Sequence, residues 1–201
     1  MKFIGITGGI GAGKSEILKY IGKHYNSEIY LADDVAKSLE EKGTETHKRL
    51  VDLLGGDILG EDGEIDKSLM SKKIYADAGL LEKVNDIVHP AVREFLLARL
   101  SEAKAENKCE LFFVEAALLV ETGYGELVDE MWYVRADEDI RIQRLMDSRG
   151  YTEEKARSII NNQLSDDEYM KAADFVLDNS GDLENTYRSI REKLGAFTWL
   201  E

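Results

Sequence analysis

Gly8-Gly9-Ile10-Gly11-Ala12-Gly13-Lys14-Ser15 matches G-x-x-x-x-G-K-[ST] at every defined position. The spacing follows from what a phosphate group needs. Successive backbone N–H groups must turn inward onto its oxygens, and only small residues permit so tight a turn. A helix beginning near Gly13 adds the positive end of its dipole. In such a loop Lys14 reaches the β- and γ-phosphates, and the Ser15 hydroxyl takes a place on Mg²⁺. A chance glycine-rich turn would lack the flanking pattern. Here the motif follows an apolar, β-branched run, residues 2–7, and precedes Ile17, Leu18 and Ile21 at helical spacing. The expected ligand is a nucleoside triphosphate.

Other side chains suited to phosphoryl chemistry lie further along. Asp33 follows the strand-like run 28–31, and ligands of open α/β sheets gather at the carboxyl ends of strands. The alternative is that Asp33 or Asp34 caps the helix that Val35-Ala36-Lys37 continues. Glu115 ends the run 111–114, the place of a second Mg²⁺-organising carboxylate in many P-loop proteins; a salt-bridged structural carboxylate is the alternative. Arg141, Arg144, Arg149 and Arg157 flank Gly150-Tyr151-Thr152 between two helical patterns. Arg141 and Arg144 share a helical face, and Thr152 ahead of Glu153 and Glu154 reads as an N-cap. A helix–turn–helix of this kind can close over nucleotide as a lid and bring guanidinium groups to the transferring phosphoryl. The competing reading is a solvated face balanced by Asp147, Glu153 and Glu154. His89 stands before Pro90, where a helix with proline at its first position would begin, and Arg93 comes one turn later. No Asn-Lys-x-Asp segment follows a late strand, which argues against a guanine-nucleotide switch. A small-molecule kinase fits better.

These residues need a scaffold. Apolar runs at 2–7, 28–31, 111–115, 131–134 and 174–178, separated by helical patterns, read as a parallel sheet covered on both faces. Between 44 and 105 only helical patterns occur, broken by the turn Gly60-Glu61-Asp62-Gly63. That is far longer than the roughly dozen residues of a minimal crossover, so it reads as a helical subdomain. A total of 201 residues with 43% hydrophobic content suits one ordinary domain with such an insertion. One proline favours long helices, and the single Cys109 excludes a disulfide framework. No apolar run approaches the ~20 residues of a membrane span. A soluble, cytoplasmic, membrane-free protein is expected. The net charge of −14 argues against generic nucleic-acid binding. Positive charge nonetheless gathers in residues 1–30 and 141–160, the two segments assigned to phosphate.

The constellation resembles the dephospho-CoA kinase family along nearly the whole chain. The matching segments are residues 4–15, Ala32-Asp33, Asp62-Gly63-Glu64-Ile65-Asp66, and His89-Pro90-Ala91-Val92-Arg93. Leu118-Leu119-Val120-Glu121, Arg144-Leu145, Arg149, Gln163, Ala173-Asp174 and Asn179 continue it. The family pattern is departed from at Glu16, Leu31, Glu115 and Ala117, where it usually has Thr, Asp, Asp and Pro; Glu115 keeps a carboxylate. The resemblance implies transfer of the ATP γ-phosphate to the ribose 3′-hydroxyl of dephospho-CoA, with Mg²⁺ as cofactor. It implies Asp33, Lys14 and Arg144 as catalytic residues. Gly11, Ala12, Gly13, Lys14, Ser15, Glu16, Arg149 and Asn179 would hold nucleotide. His89, Arg93, Leu118 and Glu121 would hold the acceptor, and Ser15 and Glu115 the metal. The implied fold is α/β and of the P-loop kinase type. It has three layers with a mostly parallel five-stranded sheet, a helical acceptor-binding insertion and a helical lid. One domain is expected, with a core of 1–43, 106–138 and 164–201, the insertion at 44–105 and the lid at 139–163. The expected state is a monomer, with a small homo-oligomer as the alternative. A kinase of nucleosides or nucleoside monophosphates, and a nucleotide-binding module without turnover, are the competing functions.

Overall fold

The computed structural model of the protein describes residues 1–116, 119, 124–197 and 199–200. The N-terminal apolar run forms β1 (Lys2–Thr7), with Phe3, Ile4 and Ile6 enclosed. Next come α1 (Lys14–His24), β2 (Ser27–Leu31), α2 (Ala32–Leu39), α3 (Glu45–Leu54), α4 (Lys67–Ala76) and α5 (Ala78–Glu106). Then follow β3 (Leu111–Glu115), β4 (Glu130–Arg135), α6 (Glu138–Arg149) and α7 (Glu153–Asn161). The last elements are α8 (Asp166–Ala172), β5 (Phe175–Asp178) and α9 (Leu183–Leu194). The strand order is β2-β3-β1-β4-β5. β1 runs parallel to β3, Gly5 opposite Val114, and parallel to β4, Thr7 opposite Tyr133. β4 in turn runs parallel to β5. This is the mostly parallel α/β sheet that the sequence implies. Because β1 is central and its neighbours parallel, the glycine loop leaves the sheet beside the carboxyl ends of β3 and β4.

Two compact units divide the chain: Met1–Ile29 with Ala103–Glu201, and Tyr30–Glu102. In the first, Leu111, Phe112, Phe113 and Val114 of β3 and Met131, Trp132, Tyr133 and Val134 of β4 are all buried. Near-continuous burial of this kind marks strands covered on both faces. Cys109 is buried too, as a small apolar residue. The second unit is helical. Thr44 caps α3 by accepting from the His47 N–H at 3.1 Å, and Asp66 caps α4 by accepting from Ser68 and Leu69. The Gly60–Gly63 turn closes where the Gly60 N–H donates to the Glu64 carbonyl at 2.9 Å.

One sequence expectation is corrected here. No helix begins at Pro90; α5 runs straight through it, and His89 is an exposed helical residue. Proline inside a helix costs about 3 kcal/mol, since it withholds an N–H from the carbonyl four residues back. The opposing effect is larger. Val84, Ile87, Val88, Val92, Leu96 and Leu100 are buried along one stripe of the helix, and each contributes about 1.5–3 kcal/mol on burial. The stripe wins, and Pro90 lies on the exposed side.

At the start of β4 the buried Glu130 is paired with both Lys2 and Lys193. Burial pushes its carboxyl up, but the hydrogen bonds from Lys193 and Lys2 outweigh it, and the net shift is below the ordinary 4.5. Folded Glu130 therefore holds its charge to lower pH than the unfolded chain does. Its stabilisation is complete above the unfolded value near 4.5 and fades as pH falls through the lowered one. Glu130→Gln should cost about 1–3 kcal/mol at neutral pH and should flatten the acid-side fall in Tm. Thermal unfolding of both proteins across acid pH checks this. An unchanged acid-side slope in the variant would show that other carboxylates govern acid stability.

Candidate active site

The loop between β1 and α1 is held from outside by side chains on its carbonyl oxygens. Arg141 Nε donates to Ile10 O at 2.8 Å. Arg144 Nη1 donates to Gly11 O at 3.3 Å and Ala12 O at 3.2 Å, while its Nη2 donates to Asn179 O at 2.8 Å. Asn179 Nδ2 also donates to Ala12 O, at 2.8 Å, and Asn179 is itself braced by the Thr186 hydroxyl at 3.1 Å. In a planar trans peptide the N–H points opposite to the C=O. With these carbonyls turned outward, the N–H groups of Gly11, Ala12 and Gly13 point inward. The Ala12 N–H closes back on Gly9 O at 3.2 Å. Those of Gly11 and Gly13 remain, joined by the N–H groups of Lys14 and Ser15 in the first turn of α1, which have no intrahelical acceptor. That is an anion nest at a helix N-terminus. Glycine is required on both sides of this turn. A Cβ on Gly8, whose φ is 145°, would stand 2.4 Å from the Val134 backbone carbonyl, and one on Gly13, whose φ is 96°, would stand 2.3 Å from Asn179 Nδ2.

Lys14 lies across this nest. Its ammonium donates to Gly8 O at 2.6 Å and pairs with Glu115 at 3.3 Å, the two side chains being 12% and 17% exposed. Of the two alternatives for Glu115, the structure shows the ion-paired carboxylate, and its partner is the lysine of the glycine loop. Ser15 is exposed at the start of α1. Glu16 points toward α9, where its carboxylate accepts from the Tyr187 hydroxyl at 3.2 Å. Burial, then that bond, raises the Tyr187 pKa. Arg149 ends α6 and is exposed.

Residues 139–163, the expected lid, contain two helices, with Gly150 left-handed at the end of α6 and Thr152 capping α7 by accepting from the Lys155 N–H at 3.2 Å. The solvated-face reading fits the exposed Arg149 and Arg157, the latter paired with Glu153, Glu138 and Asp139. It fails for Arg141, which is 5% exposed. Two further residues at the loop have no local signal in the sequence. Gln163 Oε1 accepts from the Ile10 N–H at 2.9 Å, and Thr186 holds Asn179.

Of the remaining expected residues, Asp33, His89 and Arg93 belong to the second unit. Asp33 lies exposed in the first turn of α2 and makes no hydrogen bond or ion pair among the described residues. Asp34 pairs with Lys37 at 2.6 Å. Neither caps α2, because the N-cap is Leu31 and no side chain fills that role. The capping alternative for these aspartates is therefore excluded. His89 and Arg93 are exposed one turn apart on α5. Ala117, Leu118 and Glu121 lie outside the described residues.

A family model described as CoaE, dephospho-CoA kinase, matches residues 2–185. The chain belongs to the dephospho-CoA kinase family. Among its relatives, the dephospho-CoA kinase of Geobacillus kaustophilus is 35% identical over 198 residues, covering 98% of each chain. A solved structure, TT1252 from Thermus thermophilus, superposes with a TM-score of 0.81 at 28% identity and 98% coverage of each chain. The dephospho-CoA kinase from Campylobacter jejuni shares the fold, with a TM-score of 0.71 at 20% identity over 96% of this chain and 95% of that one. As a member of the dephospho-CoA kinase family the chain is a phosphotransferase on a P-loop scaffold. No described helix is long and apolar enough to cross a membrane.

Proposed function

We propose that the chain transfers the γ-phosphoryl group of ATP to the ribose 3′-hydroxyl of dephospho-CoA, giving ADP and coenzyme A, the last step of coenzyme A synthesis. The observation that carries this reading is the anion nest with Lys14 laid across it, in a chain of this family. Phosphoryl transfer asks a protein mainly to position groups and to compensate charge. The N–H groups of Gly11, Gly13, Lys14 and Ser15 bind the phosphate oxygens, with Ala12 and Glu16 completing the loop. Lys14 exchanges Glu115 for the β- and γ-oxygens. Arg144, already at the rim of the loop, compensates charge on the transferring group, while Arg149 and Asn179 contribute to the nucleotide site. Asp33 accepts a hydrogen bond from the 3′-hydroxyl and aims it in line at phosphorus. His89 and Arg93 hold the anionic part of the acceptor, with Leu118 and Glu121.

The Ser15 hydroxyl and Glu115 carboxylate are hard oxygen donors but too few for an all-protein cage, which suits Mg²⁺ arriving on the nucleotide. When bound, the ion neutralises charge on the phosphate oxygens. Residues 44–105 serve as the acceptor subdomain, 139–163 as the lid and the rest as the core of a single cytoplasmic domain, working as a monomer.

An acceptor screen tests the reading. With ATP and Mg²⁺ present, dephospho-CoA should give ADP and coenzyme A, and nucleosides or nucleoside monophosphates should give none. Turnover confined to nucleosides would replace the acceptor, and saturable ATP binding without any acceptor-dependent ADP would make the chain a binding module.

A further inference from the structure

The two peptide groups that flank the Ile10 Cα are captured by two side chains that also bind each other. The carbonyl of Ile10 accepts from Arg141 Nε at 2.8 Å. Its N–H donates to Gln163 Oε1 at 2.9 Å, and the same oxygen accepts from Arg141 Nη2 at 2.7 Å. The result is a closed ring of hydrogen bonds joining the glycine loop to the start of α6 and to the segment after α7. The Arg141 guanidinium is 5% exposed and has no carboxylate partner among the described residues. A buried cation without a counter-ion is costly, and such charges are ordinarily paired. This one lies against the back of an anion-binding loop.

We propose that Arg141 and Gln163 are positioning residues for the phosphoryl donor. Arg141 fixes the Ile10–Gly11 peptide group and so holds the Gly11 N–H inward before ligand arrives; Gln163 fixes the Gly9–Ile10 group ahead of it and braces Arg141, and the buried guanidinium adds positive potential behind the loop. The ring also sets where the lid can hinge. Arg141 at the base of α6 and Gln163 beyond α7 stay tied to the loop, so closure is confined to the tip around Arg149, Gly150 and Tyr151. This inference rests on the kinase reading above, since it assigns the loop a nucleotide.

The first variant is Gln163→Leu. Gln163 is partly exposed and lines a cleft of about 390 Å³, so leucine is accommodated without overpacking. Steady-state kinetics should show the KM for ATP and the Kd for MgADP rising about tenfold with the KM for dephospho-CoA little changed, while the Tm falls by a few degrees because the Ile10 N–H and Arg141 Nη2 lose their acceptor. Hydrogen exchange of the ligand-free protein should show faster exchange at the Ile10 amide. Arg141→Met and the double variant then test whether the two side chains act as one unit. The double variant should resemble either single one, because residues in one network do not add. An ATP KM within twofold of wild type in folded Gln163→Leu would overturn the proposal. So would single effects that multiply in the double variant. Should Arg141→Met not fold, Gln163→Leu with its amide exchange decides alone. Wild-type protein that fails to bind MgADP would instead defeat the kinase reading itself.

Discussion

Lys14→Ala should lower turnover by on the order of 10³-fold, the scale on which single electrostatic contacts to a transition state act. The ammonium is bound to Gly8 O and Glu115 and to no other group of the described protein. No core packing depends on it. Its removal leaves Glu115 without its cation, a cost of about 1–3 kcal/mol, so a folded protein should remain. The loss should appear in kcat as well as in the KM for ATP, because charge on the β- and γ-oxygens grows as the reaction proceeds. Turnover with dephospho-CoA, alongside circular dichroism and a thermal melt, is the measurement. Wild-type turnover in a folded variant would remove Lys14 from the phosphate site.

Asp33→Asn should lower kcat by about 10²–10⁴-fold, the range for a positioned group that handles a reacting proton. Binding of ATP should stay within about twofold, since the proposed role concerns the acceptor hydroxyl alone. The structure makes this an unusually clean substitution. Asp33 is exposed, caps nothing and bonds to nothing among the described residues, so stability should be unchanged. Single-turnover kinetics with saturating dephospho-CoA separate the chemical step from binding. If ATP affinity fell while the chemical step kept its rate, Asp33 would belong to the nucleotide and another group would orient the hydroxyl.

What could be read in the sequence was what is local. The loop motif, the strand ahead of it, the helix behind it, and the caps Thr44, Asp66 and Thr152 are set by residues a few positions apart. Pro90 shows the limit. Its local chemistry argues for a helix start, and a buried stripe spanning several turns overrides it. Arg141 shows the same limit at the site. Among Asp137, Glu138, Asp139, Arg144 and Asp147 it looks like one charge on a wet face, yet its partner Ile10 is 131 residues away. Gln163 carried no readable role for the same reason. The departure at Leu31 leaves α2 without a side-chain N-cap, an omission worth about 1 kcal/mol.

The distances along the chain between the glycine loop and its outer supports bear on how the protein comes to exist. Ile10 and Gln163 are 153 residues apart, and Ala12 and Asn179 are 167 apart. Contacts of such separation form late, because closing so long a segment must precede the reward. During refolding, the motif is therefore whole as a sequence long before it is whole as a site. The Ile10 and Ala12 supports dock only when the segment after α7 and the residue following β5 have reached the loop, so nucleotide affinity should return late, with the sheet rather than with the local helix.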